Sequence, residues 1–140
     1  MKRIEEKLRE IEDSLAIIEE GLPATAEEFK HSGLIKDGLM KRLEFCIQNI
    51  IDVFSLIYST EKLGVPASLD EIFSGLFEKR IFSKKVMDLT KDLKGMCNIL
   101  IHKYGKIDDE LVFEHLQERL DDFRILIRAV DKYKATGSSK

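Results

Sequence analysis

The sequence predicts an all-α protein, an antiparallel helical bundle of four main helices with short helices between them. Three observations carry this reading. Apolar residues recur at three- and four-residue steps along most of the chain. No segment holds a two-residue alternation for long, so no sheet is expected. The composition is rich in Leu, Ile, Glu and Lys, with two prolines and no tryptophan, which favours helix.

At 140 residues the chain suits one domain, placed at 1–134, followed by a flexible tail at 135–140 (Ala135-Thr136-Gly137-Ser138-Ser139-Lys140). Hydrophobic residues at 44% and charged residues at 35% indicate a folded core under a charged surface.

Taken in order, residues 1–20 place Ile4, Leu8, Ile11, Leu15 and Ile18 on one helical stripe. That stripe fits either the bundle's own core or a second chain. Gly21-Leu22-Pro23 ends it, and Thr25-Ala26-Glu27-Glu28 opens a short helix that His31-Ser32-Gly33 interrupts. A long helix is expected from about Lys36 to Lys62. Its Leu39, Leu43, Cys46, Ile47, Ile50, Ile51, Phe54 and Ile57 form a wide apolar stripe suited to the bundle centre.

Gly64-Val65-Pro66 closes that helix. Ser68 and Glu71 then form a capping box that opens a short helix through about Lys79. Ser83 caps the next, from Lys84 to about Lys103, with Val86, Leu89, Leu93, Met96 and Leu100 inward and Gly105 at C′. Asp108 caps a last helix through about Tyr133, with Leu111, Leu116, Leu120, Phe123, Ile127 and Val130 inward.

Several functional classes are disfavoured at once. No apolar run approaches the roughly 20 residues that span a bilayer. The N-terminus turns acidic at Glu5-Glu6 without an apolar signal core, so a cytoplasmic protein is expected. Cys46 and Cys97 lack metal-ligand spacing and read as reduced thiols. Glycine-rich phosphate loops, GxSxG, HExxH and EF-hand patterns are absent. His31, His115 and the many carboxylate pairs read as surface groups.

The net charge of −3 argues against a general nucleic-acid coat, but the charge is uneven. Residues 79–106 hold eight Lys/Arg against two Asp, a balance of +6, leaving −9 on the remainder. That basic segment points to a local anion site. On a helix from Lys84, residues Lys84, Lys91, Lys94, Asn98 and His102 fall within roughly 80° on the side away from the apolar stripe. Three ammonium groups, an amide donor and an imidazole that titrates near neutrality suit a phosphodiester. A solvated lysine face, with His102 favouring the helix dipole, has the same appearance.

The segment Leu93-Lys94-Gly95-Met96-Cys97-Asn98-Ile99-Leu100-Ile101-His102-Lys103-Tyr104 is similar to the GFRNxLVHxY signature of the HEPN superfamily, in its HepT-like branch. The resemblance covers nearly the whole chain after about the first helix. It includes Arg42–Asp52 as the family's long helix, Gly64-Val65-Pro66 with Glu71-Ile72-Phe73 as its connector, and the continuation Ile107-Asp108-Asp109.

The resemblance implies a helical homodimer whose signature segments face each other across a cleft. It implies a toxin of a toxin–antitoxin pair, a metal-independent RNA endonuclease that needs no cofactor. The partner it implies is an MntA-type nucleotidyltransferase antitoxin that silences the toxin by AMPylation of a Tyr. Residue by residue, His102 takes the proton-transfer role, Asn98 binds or orients phosphate, and Tyr104 is the AMP acceptor. Lys84, Lys91 and Lys94 are the accompanying RNA-phosphate ligands from the helix-face reading.

One position departs from the pattern. Cys97 stands where the family has Arg, and a thiol cannot supply that residue's charged bidentate grip on phosphate. The expectation is a ribonuclease weakened at Cys97. The alternative is a non-catalytic HEPN module that binds a nucleotidyltransferase partner or a nucleotide.

Overall fold

The computed structural model describes the backbone of residues 2–102 and 108–137, and side chains over 2–96 and 108–136. Its helices are α1 (Lys2–Gly21), α2 (Ala26–Lys30), α3 (Leu34–Thr60), α4 (Leu69–Glu78), α5 (Lys84–His102), α6 (Asp109–Glu118) and α7 (Leu120–Gly137). No strand occurs among the described residues.

Four helix starts, those of α2, α4, α5 and α6, lie where side-chain oxygens satisfy otherwise orphaned backbone N–H groups. Thr25 Oγ1 accepts from Glu28 N at 3.1 Å, and Ser68 Oγ accepts from Glu71 N at 3.2 Å. Ser83 Oγ accepts from Val86 N at 3.3 Å, and Asp108 Oδ1 accepts from Leu111 N at 3.1 Å. Glu71 reaches back past the cap and accepts from Ala67 N at 3.0 Å, a variant of the expected capping box.

Two helix ends carry an unusual backbone. Lys62 follows α3 at φ 56° and Arg80 follows α4 at φ 59°. Glycine adopts this left-handed region at least cost, and a side chain there costs on the order of 1 kcal/mol.

Helices α1, α3, α5 and α7 form the bundle. α1 is antiparallel to α3: Lys7 Nζ lies 3.4 Å from both Asn49 Oδ1 and Asp52 Oδ2, and Arg42 Nη1 donates to Ser14 Oγ at 3.3 Å. α1 is also antiparallel to α7, through Glu5–Lys134 at 3.8 Å and Glu19–Arg124 at 2.6 Å. The predicted α1 stripe, Ile4 to Ile18, is buried within this chain's own core. So is every residue of the α3 stripe. Phe82, just before α5, sits between Phe54 (ring centroids 5.0 Å) and Tyr133 (5.8 Å), joining the α4–α5 connection to α3 and α7 at one end of the bundle. Phe29 of α2 meets Phe113 of α6 at 5.7 Å.

Four expectations need correction. The long helix begins at Leu34, before Lys36. The last helix is two: Arg119 caps α6, its N–H donates to His115 O at 2.8 Å, and its guanidinium pairs with Asp122 in the first turn of α7. That break lets α6 bury Val112, Phe113 and Leu116 while Leu111 stays half-buried. Among the described side chains of α5 the buried set is Met87, Thr90, Leu93 and Met96, with Val86 and Leu89 half-buried. Finally, α7 continues through Ala135 and Thr136 to Gly137, so the first part of the expected tail is helical. The side chain of Leu100, the C′ position at Gly105 and residues 138–140 lie outside the described residues.

Candidate active site

Helix α5 carries the signature backbone as far as His102. In helical register Asn98 and His102 are one turn apart, about 6 Å along the axis. The side chains of Cys97, Asn98 and His102 lie outside the described residues, as does Tyr104.

The helix that presents them is anchored on both sides. Leu93 and Met96 are buried in the first part of the signature segment. Just after it, Lys36 Nζ lies 3.3 Å from Asp109 Oδ2, tying the first turn of α6 to that of α3.

The three lysines do not share one surface. Lys91 and Lys94 line a groove of about 410 Å³ with Ser68, Leu69, Asp70, Phe73 and Gly95. This groove runs between the start of α4 and the α5 turn preceding Asn98. Lys84 belongs elsewhere: its ammonium lies 2.7 Å from Asp88, and it borders a different groove with Lys85, Asp92, Asp122 and Ile125. The hydrogen bond to Asp88, then its charge, raises the Lys84 pKa. The arc expected to be polar also contains Met87, which is buried.

Sequence reasoning missed the contribution of α4. The capping box at Ser68 was legible, but its placement opposite Lys91 and Lys94 depends on tertiary packing. The N-terminal end of α4 adds positive dipole character to the groove, partly offset by Asp70.

The other histidines stand apart from this groove. His31 Nε2 lies 3.0 Å from Glu27 Oε1 at the exposed end of α2. His115 is half-buried rather than a surface group, and burial, then the Arg119 charge, lowers its pKa. No helix among the described residues is long and apolar enough to cross a membrane.

The bundle carries Asn98-Ile99-Leu100-Ile101-His102 on its basic helix α5, and residues 11–130 match the family model Ribonuclease HepT-like. The chain belongs to the HepT-like ribonuclease family. It is 26% identical over 103 residues to the mRNA nuclease HepT of Shewanella oneidensis, spanning 74% of this chain and 77% of that protein. Its fold is similar to that of the tri-AMPylated Shewanella oneidensis HEPN toxin in complex with MNT antitoxin. The TM-score is 0.81 at 23% identity, with 94% of this chain and 98% of that one covered. The cytosolic protein YutE of Bacillus subtilis, of unknown function, has the same fold, with a TM-score of 0.77 at 18% identity over 97% of this chain and 91% of that one.

Proposed function

We propose that this protein is the ribonuclease toxin of a toxin–antitoxin pair, cleaving RNA without a metal at the Cys97–Tyr104 segment. The observation that carries the reading is a groove lined by Lys91 and Lys94 on α5, the helix whose backbone continues through Asn98 and His102, one turn apart in register. The similarity to an mRNA nuclease along most of both chains supports it.

In this reading Lys91 and Lys94 hold phosphates next to the scissile bond, and Asn98 orients the scissile phosphate. His102 takes the proton of the attacking 2′-hydroxyl or supplies one to the leaving 5′-oxygen. Lys84, engaged by Asp88, contributes little beyond general positive charge. Cys97 in place of Arg removes a contact to developing charge, a loss commonly on the order of 100- to 1,000-fold in rate.

Two chains pair so that both signature segments face one cleft. The partner is a nucleotidyltransferase of the MntA type, which transfers AMP to Tyr104. The similarity to a HEPN toxin AMPylated and bound to an MNT antitoxin supports this regulation. A cytoplasmic location fits the similarity to a cytosolic protein.

Cys97 favours a second reading, a non-catalytic module that only binds the nucleotidyltransferase. Induced expression separates the two. Growth arrest by the wild-type chain, relieved both by His102→Ala and by the cognate nucleotidyltransferase, supports the toxin. Identical growth of cells making the wild type, Cys97→Arg and His102→Ala proteins supports the module.

A further inference from the structure

The end of the bundle opposite the signature carries a second basic surface. The C-terminal ends of α3, α4 and α7 meet the start of α5 there. Two clefts adjoin at Ile81. One, of about 450 Å³, holds Arg80 and Lys132 beside Ser83, Tyr133 and Thr136. The other, of about 540 Å³, holds Lys62 and Lys79 beside Glu61 and Leu63.

The four cations are exposed, and none has a carboxylate within ion-pair distance among the described residues. The one carboxylate lining either cleft among the described residues, Glu61, accepts a hydrogen bond from the Tyr133 hydroxyl at 2.7 Å. That hydrogen bond leaves Glu61 less able to neutralise the cations beside it.

The backbone supplies an independent observation. Lys62 and Arg80 occupy the left-handed positions just past α3 and α4, where glycine is the least strained choice. The helix dipole favours a cation anywhere in a last turn and does not require one at the strained position. Both strained residues line these clefts. Arg80 is fixed there, with Arg80 N donating to Phe77 O at 2.9 Å and Ile81 N to Leu76 O at 3.0 Å.

From these features we infer that the surface formed by Lys62, Lys79, Arg80 and Lys132 binds the phosphodiester backbone of single-stranded RNA, away from the scissile bond. The inference rests on the ribonuclease reading for its choice of polyanion. Paired cations in adjoining clefts suit successive phosphates of one strand. α5 links this surface to the signature, with Lys84 and His102 separated by about 27 Å along the axis. A substrate must therefore be long to occupy both places. Short RNA reaches the signature alone.

The test measures binding separately from cleavage. In a His102→Ala background, fluorescence anisotropy follows labelled RNA of about 30 nucleotides and of about 6, bracketing common single-strand site sizes. Replacing all four cations with Gln is expected to weaken long-RNA binding roughly 100-fold at 0.1 M salt and to reduce the log–log salt slope by about 3. Binding of the short RNA is expected to stay within about twofold.

Lys62→Gly combined with Arg80→Gly is the sharper variant, because it relieves backbone strain. Its melting temperature is expected to rise while long-RNA affinity falls roughly tenfold. Unchanged long-RNA binding in both variants overturns the inference. So does loss of the nucleotidyltransferase complex with RNA binding intact, since the surface then serves an acidic protein. Wild-type cleavage of the short RNA, measured in parallel, reports on the ribonuclease reading independently of either result.

Discussion

Lys36 Nζ stands 3.3 Å from Asp109 Oδ2, joining the first turn of α3 to the first turn of α6. Both side chains are largely buried, at 23% and 16% exposure, and Asp109 Oδ1 has no hydrogen-bond partner among the described residues. Removing Lys36 therefore leaves a carboxylate with little compensation. Lys36→Met is expected to destabilise the fold by about 3 kcal/mol. Adding Asp109→Asn is expected to restore much of that, because the stranded charge is gone. Chemical denaturation of the single and double variants checks this; additive losses would show that the two groups do not interact.

Cys46 gives a pH-dependent signature. Burial pushes its thiol from 9.0 up to about 12, against the opposing hydrogen bond of Ser14 and charge of Arg42. A raised folded-state value means the native chain keeps a proton that the unfolded chain releases above pH 9.0. This contribution is fully present below pH 9.0 and lost as pH rises towards about 12. The loss approaches 4 kcal/mol, on the order of 1.4 kcal/mol per unit. Cys46→Ala is expected to start less stable from its cavity but to show a shallower decline over this range. Parallel alkaline declines for the two proteins would contradict the assignment. In the native wild type at neutral pH, peptide mass spectrometry is expected to find Cys46 unalkylated by iodoacetamide.

Gly75 allows α4 to lie close on α3. A Cβ there would fall 2.8 Å from Tyr58 Cε2, and Tyr58 is buried with its hydroxyl donating to Leu63 O at 3.2 Å. Glycine to alanine in a free helix gains up to about 1 kcal/mol. Here overpacking outweighs that gain, and Gly75→Ala is expected to lose about 1–2 kcal/mol by thermal denaturation. Stabilisation by this substitution would show that the α3–α4 contact has room to relax.

Regulation at Tyr104 is open to intact-mass analysis. Co-expression with the cognate nucleotidyltransferase is expected to add AMP groups that map to Tyr104 and are lost in Tyr104→Phe. Unmodified Tyr104 after exposure to the active cognate enzyme and ATP would remove this residue as the acceptor.

The sequence disclosed the framework better than the surface geometry. The α1 and α3 stripes were legible because a single apolar face decides their orientation. The starts at Thr25, Ser68, Ser83 and Asp108 were legible because capping is local chemistry. Arg119 was not, since good helix formers flank it and the break follows from how α6 and α7 pack. The candidate site was half legible. Projection on a helical wheel put Lys84 with Lys91 and Lys94, but an ammonium reaches several ångströms from its axis and Asp88 holds this one on another side. Met87 fell in the same polar arc yet is buried, because α5 is enclosed more widely near its start than a one-sided wheel allows. The facing position of α4 required the fold itself.

Cleavage of labelled RNA in EDTA by the wild-type protein, Cys97→Arg and His102→Ala tests the proposed chemistry most directly. The wild type is expected to cleave slowly, Cys97→Arg on the order of 100-fold faster, and His102→Ala not measurably. Equal cleavage by wild type and His102→Ala would contradict the assignment of His102. Intact RNA with all three proteins would leave a HepT-like fold that binds its partner and cuts nothing.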